Sequence, residues 1–480
     1  LVEEVPSALQ SMPVGVITQP PSAAPAPAAT PPARAMSARR VMRRAVAFTR
    51  GTYSSVRGAA IPLPWGRVAP AMNTQPITVR TITPEEFGAF EEVIGSAFGF
   101  DSRPEDSETW KKRAEWDRYC AAFDGEEMVG TGGALTFSMT VPGAAPLSFG
   151  GVTAIATRPT HRRRGVLTSI MHRLHEQAAE RGEVIAALWA AESRIYRRFG
   201  YGVAIEGCDL QIERAHARLL DDGSPAGRLH QVTEEEARAV FPGVYARATE
   251  GIPGTLARRA PDWELYFYDP EHWREGTTAF RFVVYEEAGA PLGYVLYRQK
   301  EDWDGNLARS EVRIGDLQAV HGEAYRALWR YCFGIDLVHQ VRARNRRLRE
   351  PLTLLLEDPR WLQQRRSDKI WLRLIDVAGA LAARRYASEG EVVLEVADEF
   401  EPAAGGRFRL RGGPDGAECS RTERPAEVAI PAADLAAAYL GDARLDELAW
   451  LGRVQGSPEA VGRAQRMLQW PVPSWCTVGF

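Results

Sequence analysis

Cysteine is scarce in this chain and forms no pattern. The 480 residues contain 5 cysteines: Cys120, Cys208, Cys332, Cys419 and Cys476. They are scattered, odd in number and include no C-x-x-C pair, which argues against a disulfide framework and a structural zinc site. A reducing cytoplasm is the simplest home, and no metal is expected. Long apolar runs are also missing. None reaches the roughly 18–20 residues that a membrane span needs. Charge of one sign is missing too: the net charge is -3, which gives no general attraction to nucleic acid or an anionic membrane. What remains is a globular composition, 45% hydrophobic and 25% charged. The length suggests about three domains at roughly 100–200 residues each.

Four stretches differ in composition. Residues 1–72 are rich in Pro, Ala and Arg ("QPPSAAPAPAATPPAR", "ARRVMRRAVAFTR"), with Glu3 and Glu4 their only acids. Such sequence cannot offset its ordering entropy, so a disordered or non-native N-terminal extension is expected there; an Arg-rich transit peptide is the alternative. Residues 73–226 read as β-α-β-β-β-α-β-α-β, a mixed α/β layer. An Asp-Gly turn sits at Asp124-Gly125, and "GEVIAALWAA" has the continuous apolar character of a buried parallel strand. Residues 227–367 repeat this rhythm loosely, as a degenerate internal copy. Residues 368–480 mix strands and helices and end in "QWPVPSWCTVGF". Chain ends are usually polar and frayed, so an apolar one is expected to be buried.

The most informative segment is "THRRRGVLTSIMHRLHEQAAERG", residues 160–182. Leu167, Ile170, Met171, Leu174 and Ala178 fall on one face of a helix. Arg162, Arg163, Arg164 and Gly165 stand at its start. A helix N-terminus already carries about half a positive charge and unpaired N–H groups. Arginines added there repel one another unless an anion lies between them, so the loop reads as a diphosphate cradle, with Gly165 allowing close backbone approach. A solvated basic loop and a nucleic-acid-binding helix are the other readings. The second is weakened by the absence of interleaved aromatics.

A strand, then Arg-x-x-Gly-x-hydrophobic, then a helix resembles the acetyl-CoA loop of the GCN5-related N-acetyltransferases (GNATs). In that family the last position is usually Gly or Ala; here it is Leu167. "VTAIATRPTHRRRGVL", "AAESRIYRRFGYG", the loose second copy and the terminal Phe together resemble the Eis (enhanced intracellular survival) family. The resemblance covers residues 73–480. It implies two tandem GNAT-like domains, 73–226 and 227–367, the second without cofactor, and a sterol-carrier-protein-like domain at 368–480. It also implies a homo-hexamer that acetylates amines of aminoglycoside, lysine or polyamine type with acetyl-CoA. Ile155, Ala156 and Thr157 would pair with the pantetheine arm. Arg163, Arg164, Gly165, Val166, Leu167 and Thr168 would hold the pyrophosphate, and Ala191 and Glu192 would lie along the thioester end.

Acetyl transfer needs a base for the amine and an acid for the leaving thiolate. Tyr196 and Tyr201 are the tyrosines available near the motif. The resemblance selects Tyr196 as acid and the α-carboxylate of Phe480 as base. His161, His172 and His175 read as surface or capping histidines, and His161 and Glu192 stand next in line as base. Where family members acting on polycations often have an acid before the terminal Phe, this chain has Gly479. Glu91, Glu92, Asp101, Glu105 and Asp106 are the acids that would compensate. Two competing functions remain open: a hydrophobic-ligand or lipid carrier led by the third block, and a noncatalytic acyl-CoA-binding regulator.

Overall fold

In the computed structural model, residues 76–220, 223 and 225–480 are described. The extension expected at residues 1–72 lies outside the described residues.

The first block contains β1 (Thr78–Thr81), β2 (Cys120–Asp124), β3 (Glu127–Met139), β4 (Leu147–Thr157), β5 (Ile185–Trp189), β6 (Gly202–Val203) and β7 (Glu206–Glu213). Its helices are α1 (Phe87–Phe98), α2 (Pro104–Lys111), α3 (Val166–Glu180) and α4 (Ser193–Tyr196). Asp124 pairs with Glu127, so the Asp-Gly hairpin turns over Gly125 and Glu126, with Gly125 at φ +65. The positive φ is the reason glycine suits that turn. Helix α2 escaped the sequence reading, and the single final strand expected there is two, β6 and β7. α2 buries no side chain completely, so it carries little periodic signal.

The first sheet runs β1-β2-β3-β4-β5, then Ile370–Leu374, then β6. The second runs Arg228–Val232, Arg281–Glu287, Ala290–Lys300, Ser310–Ala319, Val338–Arg347, then β7, then Gln363–Asp368. The two 7-stranded sheets share one layout, and each takes its sixth strand from beyond its own stretch of chain. β7 lies antiparallel between Val338–Arg347 and Gln363–Asp368. Ile370–Leu374 lies antiparallel between β5 and β6. The sheets therefore cross the block limits at 226 and 367. Every residue of Ile370–Leu374 is buried, as suits a strand covered on both faces.

The third block forms a 5-stranded sheet built on Gly390–Ala397 and Gly406–Gly413. Its helix Ala432–Ala438 docks on α4: Arg197 donates to both carboxylate oxygens of Asp434, at 2.9 and 3.0 Å. A charged carboxylate this deeply buried is tolerable because it is paired bidentately. The architecture is the expected α/β arrangement of two mixed-sheet domains and a smaller α+β domain.

On the first sheet, α3 covers one face. Val166, Ile170, Met171 and Leu174 are buried with Val152, Leu188 and Tyr196. Side chains at Gly130 and Gly132 would overlap Val166 and Ile170, so these glycines set how closely the helix approaches. Phe137, Phe149, Ala187, Trp189 and Phe480 belong to the core cluster on the other face.

Candidate active site

β4 and β5 are parallel and pair only from Gly150 to Val152. Beyond Val152 they part. β4 continues on β3 alone, through a register shift between Thr131 and Gly133. At the shift Ala154 takes φ +56, and its carbonyl accepts from Thr131 Oγ1 at 2.8 Å. An L-residue in that region is strained and persists only where its surroundings hold it. The result is a split in the sheet, and one of its walls is the Ile155–Thr157 backbone, which has no strand partner on the β5 side. Ile155 and Thr157 are half-buried and Ala156 is buried.

The split leads to the loop before α3. Arg163 (φ +64) and Gly165 (φ +83) both have left-handed backbone, a pattern that can turn successive N–H groups toward an anion. Gly165 is the N-cap, and no side chain caps the helix. The first-turn N–H groups, including those of Val166, Leu167 and Thr168, are thus left for another acceptor. A Cβ at Gly165 would meet nothing within 4 Å. The cradle fits a diphosphate. Arg162 and Arg163 are exposed, and among the described residues neither has an acidic partner. Arg164 differs: it pairs with Asp124 at 2.9 Å, beside His161 at 3.4 Å from the same carboxylate. The Val166 side chain is buried against β3, so only its backbone is available to a ligand.

Tyr196 ends α4 and is 6% exposed. Burial pushes its phenol well above the usual value, and the nearby charge of Glu192 adds to this. Among the described residues its hydroxyl has no hydrogen-bond partner. Tyr201, with its ring 6.2 Å from that of Tyr196, is committed elsewhere. His175 Nδ1 lies 2.9 Å from Glu401 Oε1, and a carboxylate can only accept, so Nδ1 carries the proton. Burial lowers the His175 pKa, and the neutral ring's Nε2 accepts from the Tyr201 hydroxyl at 3.2 Å. His175 is thus a buried link to the third domain, not a surface or capping residue. A lone histidine on an apolar helix face gave no hint of partners 226 residues away in sequence. Ala191 is half-buried, and Glu192 is exposed as the N-cap of α4.

The chain end is buried as expected. Trp475 N–H donates to Pro253 O at 2.9 Å, and its indole donates to Asn345 O at 3.2 Å. The Trp189 indole donates to Val478 O at 3.0 Å. Phe480 is 1% exposed, with its ring 4.9 Å from that of Phe137. A Cβ at Gly151 would come within 2.8 Å of the Phe480 ring. Tyr196, packed with Val152 and Leu188, and Phe480, packed against Gly151 and Phe137, thus lie on opposite faces of the first sheet.

The five acids lie on α1, on α2 and in the loop between them. Glu91, Glu92 and Asp101 line a cavity of about 720 Å³ beside α1. Asp106 accepts from the Tyr268 hydroxyl at 3.0 Å and His272 Nε2 at 2.8 Å. Glu105 lies 4.0 Å from His272. Cys476 is buried and its thiol is raised to about 12 by burial, which suits a packed side chain rather than a nucleophile.

Comparison with known proteins agrees with this geometry. Models of the acetyltransferase (GNAT) domain match residues 78–204 and 254–374, and a sterol carrier protein domain model matches 377–477. The chain is 38% identical to an uncharacterised N-acetyltransferase of Streptomyces avermitilis, over 84% of this chain and 99% of the relative. It is 33% identical to the N-acetyltransferase Eis of Mycobacterium tuberculosis strain H37Ra, over 79% of this chain and 93% of the relative. The crystal structure of Eis1 from Mycobacterium abscessus superposes with a TM-score of 0.72 at 31% identity, over 85% of this chain and 100% of that one. The split sheet with its anion cradle is thus that of a GNAT acetyltransferase, which uses acetyl-CoA as co-substrate and an amine as acceptor. Within that class, the chain belongs to the Eis family.

Proposed function

We propose that the chain acetylates an amine of aminoglycoside, polyamine or lysine type by direct attack on acetyl-CoA, with Tyr196 as general acid and the Phe480 carboxylate as general base. The observation that supports this reading is the buried chain end: Phe480 packs on β4 at Gly151, on the face of the sheet opposite Tyr196. The first-turn N–H groups of α3 and Arg163 hold the pyrophosphate. Arg162 adds charge, and Arg164 acts through its pair with Asp124. The Ile155–Thr157 backbone bonds the pantetheine arm, and one of its N–H groups stabilises negative charge developing on the thioester oxygen. Ala191 and Glu192 border the thioester end. The Phe480 carboxylate takes the proton from the attacking amine. Tyr196, kept protonated by burial and without a hydrogen-bond acceptor among the described residues, gives its proton to the departing thiolate.

A carrier role is disfavoured by the interior of the third domain. There Arg384 is 1% exposed; it donates to Leu468 O at 2.8 Å and to Tyr439 O, and its guanidinium lies over the Tyr386 ring. CoA release with any amine would exclude a regulator without turnover. A homo-hexamer and residence in the cytoplasm complete the proposal, the second supported by five free cysteines.

The deciding experiment measures CoA release across a panel of amines by the chain ending at Phe480 and by one extended beyond it. An extension turns the carboxylate into an amide, which cannot accept the proton. The extended protein should keep its melting temperature and lose activity. Near-full rate in the extended, folded protein would move the base elsewhere, with His161 and Glu192 the next to test.

A further inference from the structure

Arg258 lies outside the site just described and has an unusual setting. Its side chain is 4% exposed, and so is that of its partner Asp316, 3.3 Å away. Its guanidinium faces the rings of Tyr245, Tyr266 and Trp263 at 4.2, 4.3 and 4.7 Å. Asp316 is itself held by the hydroxyls of Tyr294 (2.9 Å) and Tyr266 (3.1 Å) and by Gln318 Nε2 (2.8 Å). An aromatic box on three sides and a carboxylate fixed by three further donors leave the guanidinium little freedom.

Arg258 spends one donor on the chain end: Nη2 also reaches Thr477 Oγ1, at 3.4 Å. Its Nη1 is buried with no hydrogen-bond partner among the described residues. The backbone leading into Arg258 spans the same junction. Gly254 N–H donates to Thr140 O, and Ala257 N–H donates to Ser138 O, at the end of β3. Pro253 O accepts from Trp475. A short stretch of the second domain is thereby laced to the first sheet on one side and to the chain end on the other.

We propose that Arg258 is a positioning residue: locked in the aromatic box, it holds Thr477 and so fixes where the chain end delivers its carboxylate in the split of the first sheet. The second GNAT-like domain, which has no open cradle of its own, then contributes to catalysis by aiming the base. This rests on the reading of the Phe480 carboxylate as base. A carboxylate displaced by about an ångström loses much of its rate advantage without altering how acetyl-CoA binds.

The test compares Thr477→Val, Arg258→Lys and Arg258→Met in the full chain. It measures kcat and KM for the amine, acetyl-CoA affinity by titration, and melting temperature. Thr477→Val keeps the side-chain shape and removes only the hydroxyl. It should lower kcat by about tenfold or more with acetyl-CoA affinity unchanged. Arg258→Met should lower kcat at least as far, and Arg258→Lys, which keeps a cationic donor in the box, should recover part of it. A purely structural residue would lower the melting temperature and leave the kcat of the folded fraction intact; that result, or full kcat in Thr477→Val, overturns the proposal. Should Arg258→Met fail to fold, the Thr477→Val result stands alone. The extended chain separates the two readings. If extension abolishes activity while these variants keep full kcat, the clamp alone is wrong; if extension is harmless, the base assignment itself is wrong.

Discussion

The two 7-stranded sheets have the same strand layout, yet only the first has an open cradle. In the second, Ser310–Ala319 and Val338–Arg347 also pair in parallel at one end, from Ser310 to Ile314, and then part. There the gap is filled. Arg346 is 3% exposed, donates to Leu317 O at 2.9 Å and pairs with Glu350 at 3.1 Å, which in turn accepts from the Tyr325 hydroxyl. The following helix, Gly322–Gly334, is also closed: His321 Nδ1 accepts from Ala324 N–H at 3.2 Å, where α3 has an uncapped glycine. The lesson is that two sheets of one strand order can differ at the place where a ligand would enter. What fills the split and what caps the helix differ between them, in line with the general rule that function resides in sites grafted on folds.

Four experiments would break or sharpen this contrast. The largest effect is expected at Tyr196. Tyr196→Phe should slow transfer by about 10²–10⁴-fold, the contribution of a positioned acid, with acetyl-CoA affinity unchanged. Tyr201→Phe should cost less, because its hydroxyl already serves His175; a larger loss at Tyr201 would mean the acid belongs there. Next comes the plug of the second sheet. Arg346→Met leaves Glu350 buried and unpaired, which should cost about 3–5 kcal/mol of stability in urea unfolding. A loss under 1 kcal/mol would show that the plug does not hold the second sheet.

The third experiment compares the helix starts. Arg163→Glu should weaken acetyl-CoA binding by about tenfold or more, the worth of a charge-assisted contact, at unchanged melting temperature. His321→Ala, the matching change in the second sheet, should leave acetyl-CoA affinity alone and cost about 1 kcal/mol as a lost cap. Equal effects on affinity would erase the distinction. The smallest effect is one of pH. Burial opposes ionisation of Glu401, but the His175 hydrogen bond and the Arg373 guanidinium outweigh it and hold its pKa at about 2. A depressed carboxylate stabilises the fold fully above its unfolded pKa, about 4.3, and that stability is lost as pH falls toward about 2. Glu401→Gln should narrow the gap in melting temperature between pH 6 and pH 3; an unchanged gap would show that this contact is not what acid breaks.

The sequence by itself determined the class and most elements of the first sheet, because those signals are local. The apolar spacing along α3, the Asp-Gly hairpin, the all-apolar β5 and the arginines around Gly165 each lie within one short segment. The segment carrying Tyr196 and the apolar chain end could likewise be singled out as read. Tertiary structure alone decided what depends on partners distant in the chain. The exchange of β7 and Ile370–Leu374 between sheets is such a case, since a strand's composition states that it is buried but not beside which neighbours. So are the pairing of Arg164 with Asp124 and the link from His175 to Glu401. A charge run reads alike whether its members meet solvent, ligand or carboxylate. The plug at Arg346 and the box around Arg258 were equally silent in sequence, because a buried arginine is made tolerable only by groups the fold brings to it.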